Sequence, residues 1–281
     1  MNSIVVIGTS IIDQVMNLKT DYLEFGCNKV NADFYHGGSM RNVAEISSLL
    51  NINVNFISIF GNDGNAMDMI SHLEKTNVLV YGPTIDLKTP IFTKINGNHE
   101  FMFATTTPDF ILNENDSIPL AVLKNQAYGI TDNQNEKLLD ILLKHSADTK
   151  WILSSFIPSF SYLKKITGII LNEYEYQNFL KEQREIDYIN YLFDHGLNWM
   201  IVTQGSRGCS LIKNRQISHF PTQEKEGNTL GCGDAFSSGI IYGLIQNWDD
   251  TQIITFAQKL ALITMDVESS VNQQIKSFIN D

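Results

Sequence analysis

"SIVVIG", residues 3–8, is a short β-branched run that stops on a glycine, the pattern of a central strand in a parallel sheet. "VNFISIFG" (54–61) and "NWMIVTQG" (198–205) repeat that pattern, and "WILSSF" (151–156) and "GIILN" (168–172) are similar. Between them lie segments with apolar residues at helical spacing: "RNVAEISSLL" (41–50), "AMDMISHLE" (66–74), "NEKLLDILLKH" (135–145) and "EIDYINYLFDHG" (185–196). Strands alternating with helices predict an α/β fold, with a mostly parallel sheet covered on both faces. Ligands of such sheets bind beyond the carboxyl ends of the strands, where these glycines fall.

One region breaks the alternation. "TPIFTKINGNHEFMFATTT" (89–107) is two β-rich runs around Asn96-Gly97, a strong hairpin signal. "QVMNL" (14–18) and "NADFYH" (31–36) can add strands to it. The expectation is one domain over residues 1–281, with a small β-sheet lid made from about 14–36 and 89–107. No linker, internal repeat or low-complexity tract divides the chain.

The totals exclude several classes. The chain has 281 residues, 43% hydrophobic and 18% charged, with a net charge of −11. That is a globular composition with ample core material. Its dispersed Lys and Arg argue against nucleic acid, which needs clustered cations to displace counterions. No apolar run reaches the ~18 residues of a membrane span, and "MNSIVVIGTSII" lacks the basic start of a signal peptide. Three scattered cysteines, Cys27, Cys209 and Cys232, fit neither a disulfide framework nor a zinc site, which points to a reducing cytoplasm.

Five clusters could carry chemistry. In "NTLGCGDAFSSGIIYG" (228–243), Gly231 and Gly233 let a ligand approach the backbone ahead of an apolar helix. The helix would aim its unpaired N–H groups at that ligand, an anion site with Asp234 in its mouth. A carboxylate there is awkward unless it takes a proton from an attacking hydroxyl. Taken alone, the stretch reads more readily as a loop with a first-turn acid. In "HGGSMRNVAEISSLL" (36–50), Gly37 and Gly38 open a helix whose first turn carries Arg41 and Asn42, able to point into a cleft. Asp13, in "GTSIID", could accept from sugar hydroxyls or cap a turn. Asn172, Glu173 and Glu175, in "LNEYE", stand at a strand's carboxyl end, where acids can organise Mg²⁺ through water. Thr203, Gly205 and Gly208, in "VTQGSRG", could contact a triphosphate or form a plain turn. There is no P-loop, and Phe236 stands where a dinucleotide fingerprint needs its third glycine.

In order, Gly37-Gly38-x-x-x-Asn42-x-Ala44, Asn172-x-x-Glu175, Val202-Thr203-x-Gly205-x-x-Gly208 and Gly231-x-Gly233-Asp234-Ala-Phe resemble the ribokinase-like (PfkB) carbohydrate and nucleoside kinases over essentially the whole chain. The resemblance implies a three-layer α/β/α core with a β-sheet lid. It also implies ATP- and Mg²⁺-dependent phosphorylation of a sugar or nucleoside hydroxyl. It makes Asp234 the base and the N–H groups of Gly231, Cys232 and Gly233 an anion hole. Asn172, Thr203, Gly205, Gly208 and Asn228 fall on the ATP side, and Glu175 supports Mg²⁺ through water. Asp13, Gly37, Gly38, Arg41 and Asn42 would hold the substrate. Where the family usually has Asp-Thr-x-Gly-Ala-Gly-Asp, this chain has Asn228 and Cys232. The first change weakens a monovalent-cation site of the ribokinase type. The second predicts a thiol of lowered pKa at a helix N-terminus, if exposed. Arg41 before Asn42, Asn228, and "FAQKLALITMDVESSVNQ" (256–273) are similar to the pseudouridine kinase branch, whereas "MFATTTPDF" (102–110) departs from it. Pseudouridine or a related ribosyl compound is the expected substrate. Ribose, fructose phosphate or a fructoselysine-type compound are alternatives, as is a non-catalytic binding protein. The lid also makes a homodimer plausible.

Overall fold

In the computed structural model, the residues described are 3–23, 26–97, 101–105, 108–182 and 188–279. The first half contains β1 (Ser3–Ile7), β2 (Ile11–Leu18), β3 (Val30–Gly37), α1 (Ser39–Leu49), β4 (Asn53–Ile57) and β5 (Phe60–Gly61). It continues with α2 (Gly64–Lys75), β6 (Val78–Tyr81), β7 (Thr84–Ile85), β8 (Ile91–Asn96) and β9 (Phe101–Ala104). The second half contains β10 (Tyr128–Thr131), α3 (Glu136–His145), β11 (Lys150–Ser154), α4 (Phe160–Leu163), β12 (Gly168–Asn172), α5 (Glu173–Glu182) and α6 (Tyr188–Asp194). It closes with β13 (Trp199–Thr203), β14 (Cys209–Lys213), β15 (Gln216–Phe220), α7 (Cys232–Ile245) and α8 (Asp250–Thr264).

The main sheet has nine strands in the order β15-β14-β13-β12-β11-β10-β1-β4-β6. Pairing from β13 through β6 is parallel, and β14 and β15 add antiparallel at one edge. Because side chains alternate along a strand, β1 feeds two cores. Ile4 and Val6 join the layer with α1, α7 and α8; Val5 and Ile7 join Trp151 and the α3 leucines Leu138, Leu139 and Leu142 on the other face. This is the predicted three-layer α/β/α arrangement.

The second sheet has four strands in the order β3-β2-β8-β9. β2 and β8 are parallel, while β3 and β9 flank them antiparallel. The hairpin expected around Asn96-Gly97 pairs Ile95 with Phe101; residues 98–100 of its tip lie outside the described residues. Residues 106–107 of the proposed lid and 185–187 of the 185–196 helix do too. Strands β6, β10, β14 and β15 and helices α5 and α8 are not among the segments that pattern alone picks out. β10 is four residues with a glycine inside it, too short for its period to register.

Candidate active site

The stretch 228–243 separates its four glycines into two pairs of different purpose. Gly239 and Gly243 lie on the α7 face that meets α8: a Cβ on Gly239 would sit 2.5 Å from the Ala257 Cα. The other pair builds the helix start. Gly231 is the N-cap of α7 at φ 79°, a left-handed conformation that costs other residues roughly 1–2 kcal/mol. Around Gly233 there is no atom within 4 Å of a would-be Cβ, so its backbone faces open space. Among the described residues, no acceptor takes the N–H of Gly231, Gly233 or Asp234. The Cys232 N–H, expected in the anion hole, instead donates to Thr229 O at 3.3 Å.

Asp234 stands in this mouth. Its Oδ2 accepts from Asn42 Nδ2 at 2.8 Å, joining α7 to the start of α1 across 192 residues of sequence. Burial pushes its pKa up to about 7, with Asp13 and Asp132 adding to the rise; hydrogen bonds from Asn42 and Ser39 oppose it. A carboxyl group with that pKa can accept a proton near neutral pH.

The cysteine expectation is corrected. Cys232 is half-buried, its Sγ lies 3.5 Å from Ala261 O, and its pKa is pushed up to about 11 by burial and the Asp234 charge. Lys225 and Lys94 pull it down less. Here desolvation outweighs the helix N-terminus.

Asp13 lies within β2, not after a strand in a turn. It is 3% exposed and accepts from Ser270 Oγ. Its carboxyl packs on Gly37, where a Cβ would lie 2.2 Å from the Asp13 Cγ. Gly38, at φ 101°, turns the chain from β3 into α1. Asn42 reaches Asp234 as described. Arg41, expected to point into the cleft, does not: it is 2% exposed and spends its guanidinium on His36 O, Asn42 Oδ1 and Glu45. A guanidinium at the mouth of a polar cleft would stay hydrated, but a buried carboxylate one helical turn on draws this one inward.

On the side where the nucleotide is expected, Asn172 and Glu175 form a reciprocal cap at the start of α5. Asn172 N–H donates to Glu175 Oε2 and Glu175 N–H to Asn172 Oδ1, both at 2.8 Å. Thr203 ends β13, with Oγ1 3.4 Å from Leu171 O. Gly205 faces open space at φ 58°, whereas Gly208 packs on Phe220 O and shapes the entry to β14.

Asn228 points its amide into the 265–268 loop. Its Nδ2 donates to Val267 O at 3.0 Å and Glu268 O at 2.9 Å. An amide at 228 donates to these carbonyls where a carboxylate would instead supply an anionic oxygen. Mg²⁺ fits better as a water-held ion. Asp132, at the end of β10, feels the Glu175 charge and is raised to about 7, chiefly by burial. Among the described residues, no three His, Cys, Asp or Glu side chains group as a direct cage.

Sequence reasoning missed Asp132, Ser39, Ser270 and Lys94. Ser270 follows the α8 run and meets Asp13 only through folding. Lys94 is buried on β8, in register with Val15. A pocket of about 220 Å³ beside Lys213 and Asp250 lies at the opposite end of β13 from Thr203.

Known proteins match this architecture. The family model described as pfkB family carbohydrate kinase matches residues 1–113 and 130–276. An ATP-dependent 6-phosphofructokinase of Thermoanaerobacterium thermosaccharolyticum is 22% identical over 87% of this chain and 82% of that protein. The nucleoside kinase of Methanocaldococcus jannaschii superposes with a TM-score of 0.80 at 14% identity, covering 100% of this chain and 98% of that one. A ribokinase of Arabidopsis thaliana complexed with ribose and ATP gives 0.76 at 15% identity, covering 98% and 97%.

Proposed function

Because the chain belongs to the pfkB family of carbohydrate kinases, a family acting on sugars or nucleosides with ATP, we propose that it phosphorylates a hydroxyl of an uncharged ribosyl compound, pseudouridine or a related nucleoside or sugar. The observation that carries the catalytic part is Asn42–Asp234 at the mouth of α7, beside the open backbone of Gly233.

In this mechanism Asp13 and Asn42 hold the acceptor, and Asp234 takes the proton from the attacking hydroxyl. The hydroxyl oxygen bonds to the γ-phosphorus as the bond to the ADP oxygen breaks. The N–H groups of Gly231 and Gly233, at the positive end of α7, receive the equatorial oxygens of the phosphoryl in transit. Asn172, Thr203, Gly205 and Asn228 lie on the side that would take the rest of ATP. When bound, Mg²⁺, held through water by Glu175 and Asp132, would neutralise charge on the phosphates. Positioning and anion stabilisation supply most of the acceleration in such loose transition states, and the base less.

An uncharged acceptor is favoured by the lid. Asp13, Val15, Asn17, Asp33, Tyr35 and Lys94 share the face that carries Asp13, because paired residues in a sheet lie on one side. Lys94 is the lone Lys or Arg in the four lid strands. A phosphorylated sugar would meet two carboxylates for one ammonium. The 6-phosphofructokinase relative supports the contrary reading, a sugar phosphate acceptor. Incubation with Mg-ATP and a panel of nucleosides, sugars and sugar phosphates, read by ADP release, decides: turnover confined to sugar phosphates refutes the uncharged acceptor. We also read the outer lid face as a self-association surface, since Phe34 and Phe103 are 60% and 59% exposed there.

A further inference from the structure

Arg41 is placed where a charge is costly. Its side chain is enclosed, and so is its partner Glu45, 1% exposed and one helical turn on. Burying an ion pair rarely stabilises a fold relative to an apolar pair of the same size. This pair is nonetheless heavily braced. The Glu45 carboxylate accepts from His72 Nε2 at 2.8 Å on α2 and from Gln273 Nε2 at 2.6 Å in the C-terminal segment. Burial would raise its pKa, but the His72 hydrogen bond and the Arg41 charge win and hold it at about 2. It is therefore a fixed anion, and Arg41 is fixed to it.

The other arm of the guanidinium shows what the bracing achieves. Arg41 Nη1 donates to Asn42 Oδ1 at 3.0 Å and to His36 O, at the root of the lid strand β3, at 3.1 Å. A carboxamide can present either end to its neighbour. With Oδ1 tied to Arg41, Asn42 can offer Asp234 only Nδ2, which it does at 2.8 Å. The flipped amide would set an oxygen against the Asp234 carboxylate. The Arg41 charge also acts on Asp13 and Asp234.

We propose that Arg41, anchored by Glu45, is a positioning residue of phosphoryl transfer: it locks the Asn42 amide in the orientation that donates to Asp234, and it keeps a positive charge behind the Asp13 and Asp234 carboxylates. This rests on Asp234 being the base. Arg41 touches neither substrate nor nucleotide in this role. Facing Asp234 are Asp13 from β2, Asp132 from the end of β10, Cys232 two residues before it, and Ser39, Asn42 and Arg41 from α1, with the Lys94 and Lys225 charges reaching the same thiol. Arg41 is the cation hydrogen-bonded to Asn42, so its removal strengthens the repulsion among the carboxylates and lets Asp234 hold its proton to higher pH.

The test compares three variants by melting temperature and by kcat and KM against pH, with Mg-ATP and the best acceptor of the panel. Arg41→Met with Glu45→Leu removes both charges together and leaves no orphan ion. It should melt within a few degrees of the parent and lose about 10- to 100-fold in kcat, with KM for ATP within about twofold. Its acid limb should move to higher pH. Arg41→Lys keeps the charge and loses the fork, so kcat should fall about tenfold with the limb unmoved. A folded double variant with parental kcat and acid limb overturns the proposal. If the double variant does not fold, parental kcat in Arg41→Lys overturns the orienting role. Asp234→Asn tells the two readings apart: near-parental turnover there refutes the base itself, whereas a dead Asp234→Asn beside an unaffected Arg41 pair refutes only the positioning role.

Discussion

At the scale of single residues, the site is governed by how much water each carboxyl group keeps. Asp234 titrates in the fold at about 7, against 3.8 for an ordinary aspartate. With Asp234 as the proposed base, turnover needs its anion, so kcat/KM should rise with pH along a limb centred near 7. The same shift acts on stability with the opposite sign. Between pH 4 and 7 the folded state keeps a proton that the unfolded chain releases, so this carboxyl costs stability as pH rises through that window, and fully above it. Asp234→Asn should therefore lower kcat at least about 10²-fold and raise the melting point at pH 8 by roughly 3–6 °C. The gain should vanish below pH 4. A pH-rate profile and melting curves at pH 4 and 8 check both. Asp234 and Asn42 stand out in the sequence because each follows a glycine pair or alternation just ahead of an apolar helix. The fates of Arg41 and Cys232 do not, because burial of a side chain is a property of neighbours distant in sequence. Glu45, His72 and Gln273 draw Arg41 inward, and Ala261 shields the Cys232 thiol.

At the scale of elements, helix starts carry the proposed chemistry. The two glycines flanking Cys232 look alike in sequence, yet the structure gives them unlike tasks. A Cβ on Gly231 would lie 2.0 Å from Ser270 O, and its φ is left-handed. Gly231→Ala should cost at least about 2 kcal/mol. Gly233 has room for a methyl group. Gly233→Ala should melt within about 1 °C of the parent and still lose kcat, because the methyl occupies the space the phosphoryl group needs. Thermal melting beside steady-state kinetics separates the two. Destabilisation by Gly233→Ala with normal kcat in the folded fraction would remove the phosphoryl from that spot. Asn172-x-x-Glu175 shows a different limit. Its spacing is equally that of a capping box, and the structure shows the cap formed. Beyond its own helix the motif meets the charge of Asp132, which follows a strand too short to be read from pattern.

At the scale of the molecule, the alternation of strands and helices, the hairpin and the ordered glycine motifs were enough to give the three layers and a small second sheet. That second sheet has two faces. Phe34, Gln14, Thr93 and Phe103 lie in one row on the face opposite Asp13, joined by Thr93 Oγ1 donating to Gln14 Oε1 at 3.0 Å. Two aromatic rings exposed on a four-stranded sheet favour pairing with a second copy. Sedimentation should report a dimer that Phe34→Asp with Phe103→Asp converts to monomer; a monomeric parent at high micromolar concentration refutes this surface. Among the described residues no helix is long and apolar enough to cross a membrane.

By itself the sequence determined the central strands, the helices between them and the glycine-bearing helix starts. Periodicity and glycine act locally, so they are written locally. Only the tertiary structure decided which polar groups meet. Asp234 with Asn42, Asp13 with Ser270, and Glu45 with Gln273 are contacts across 192, 257 and 228 residues. Their energies depend on solvent removed by the whole fold, and no short-range pattern encodes that.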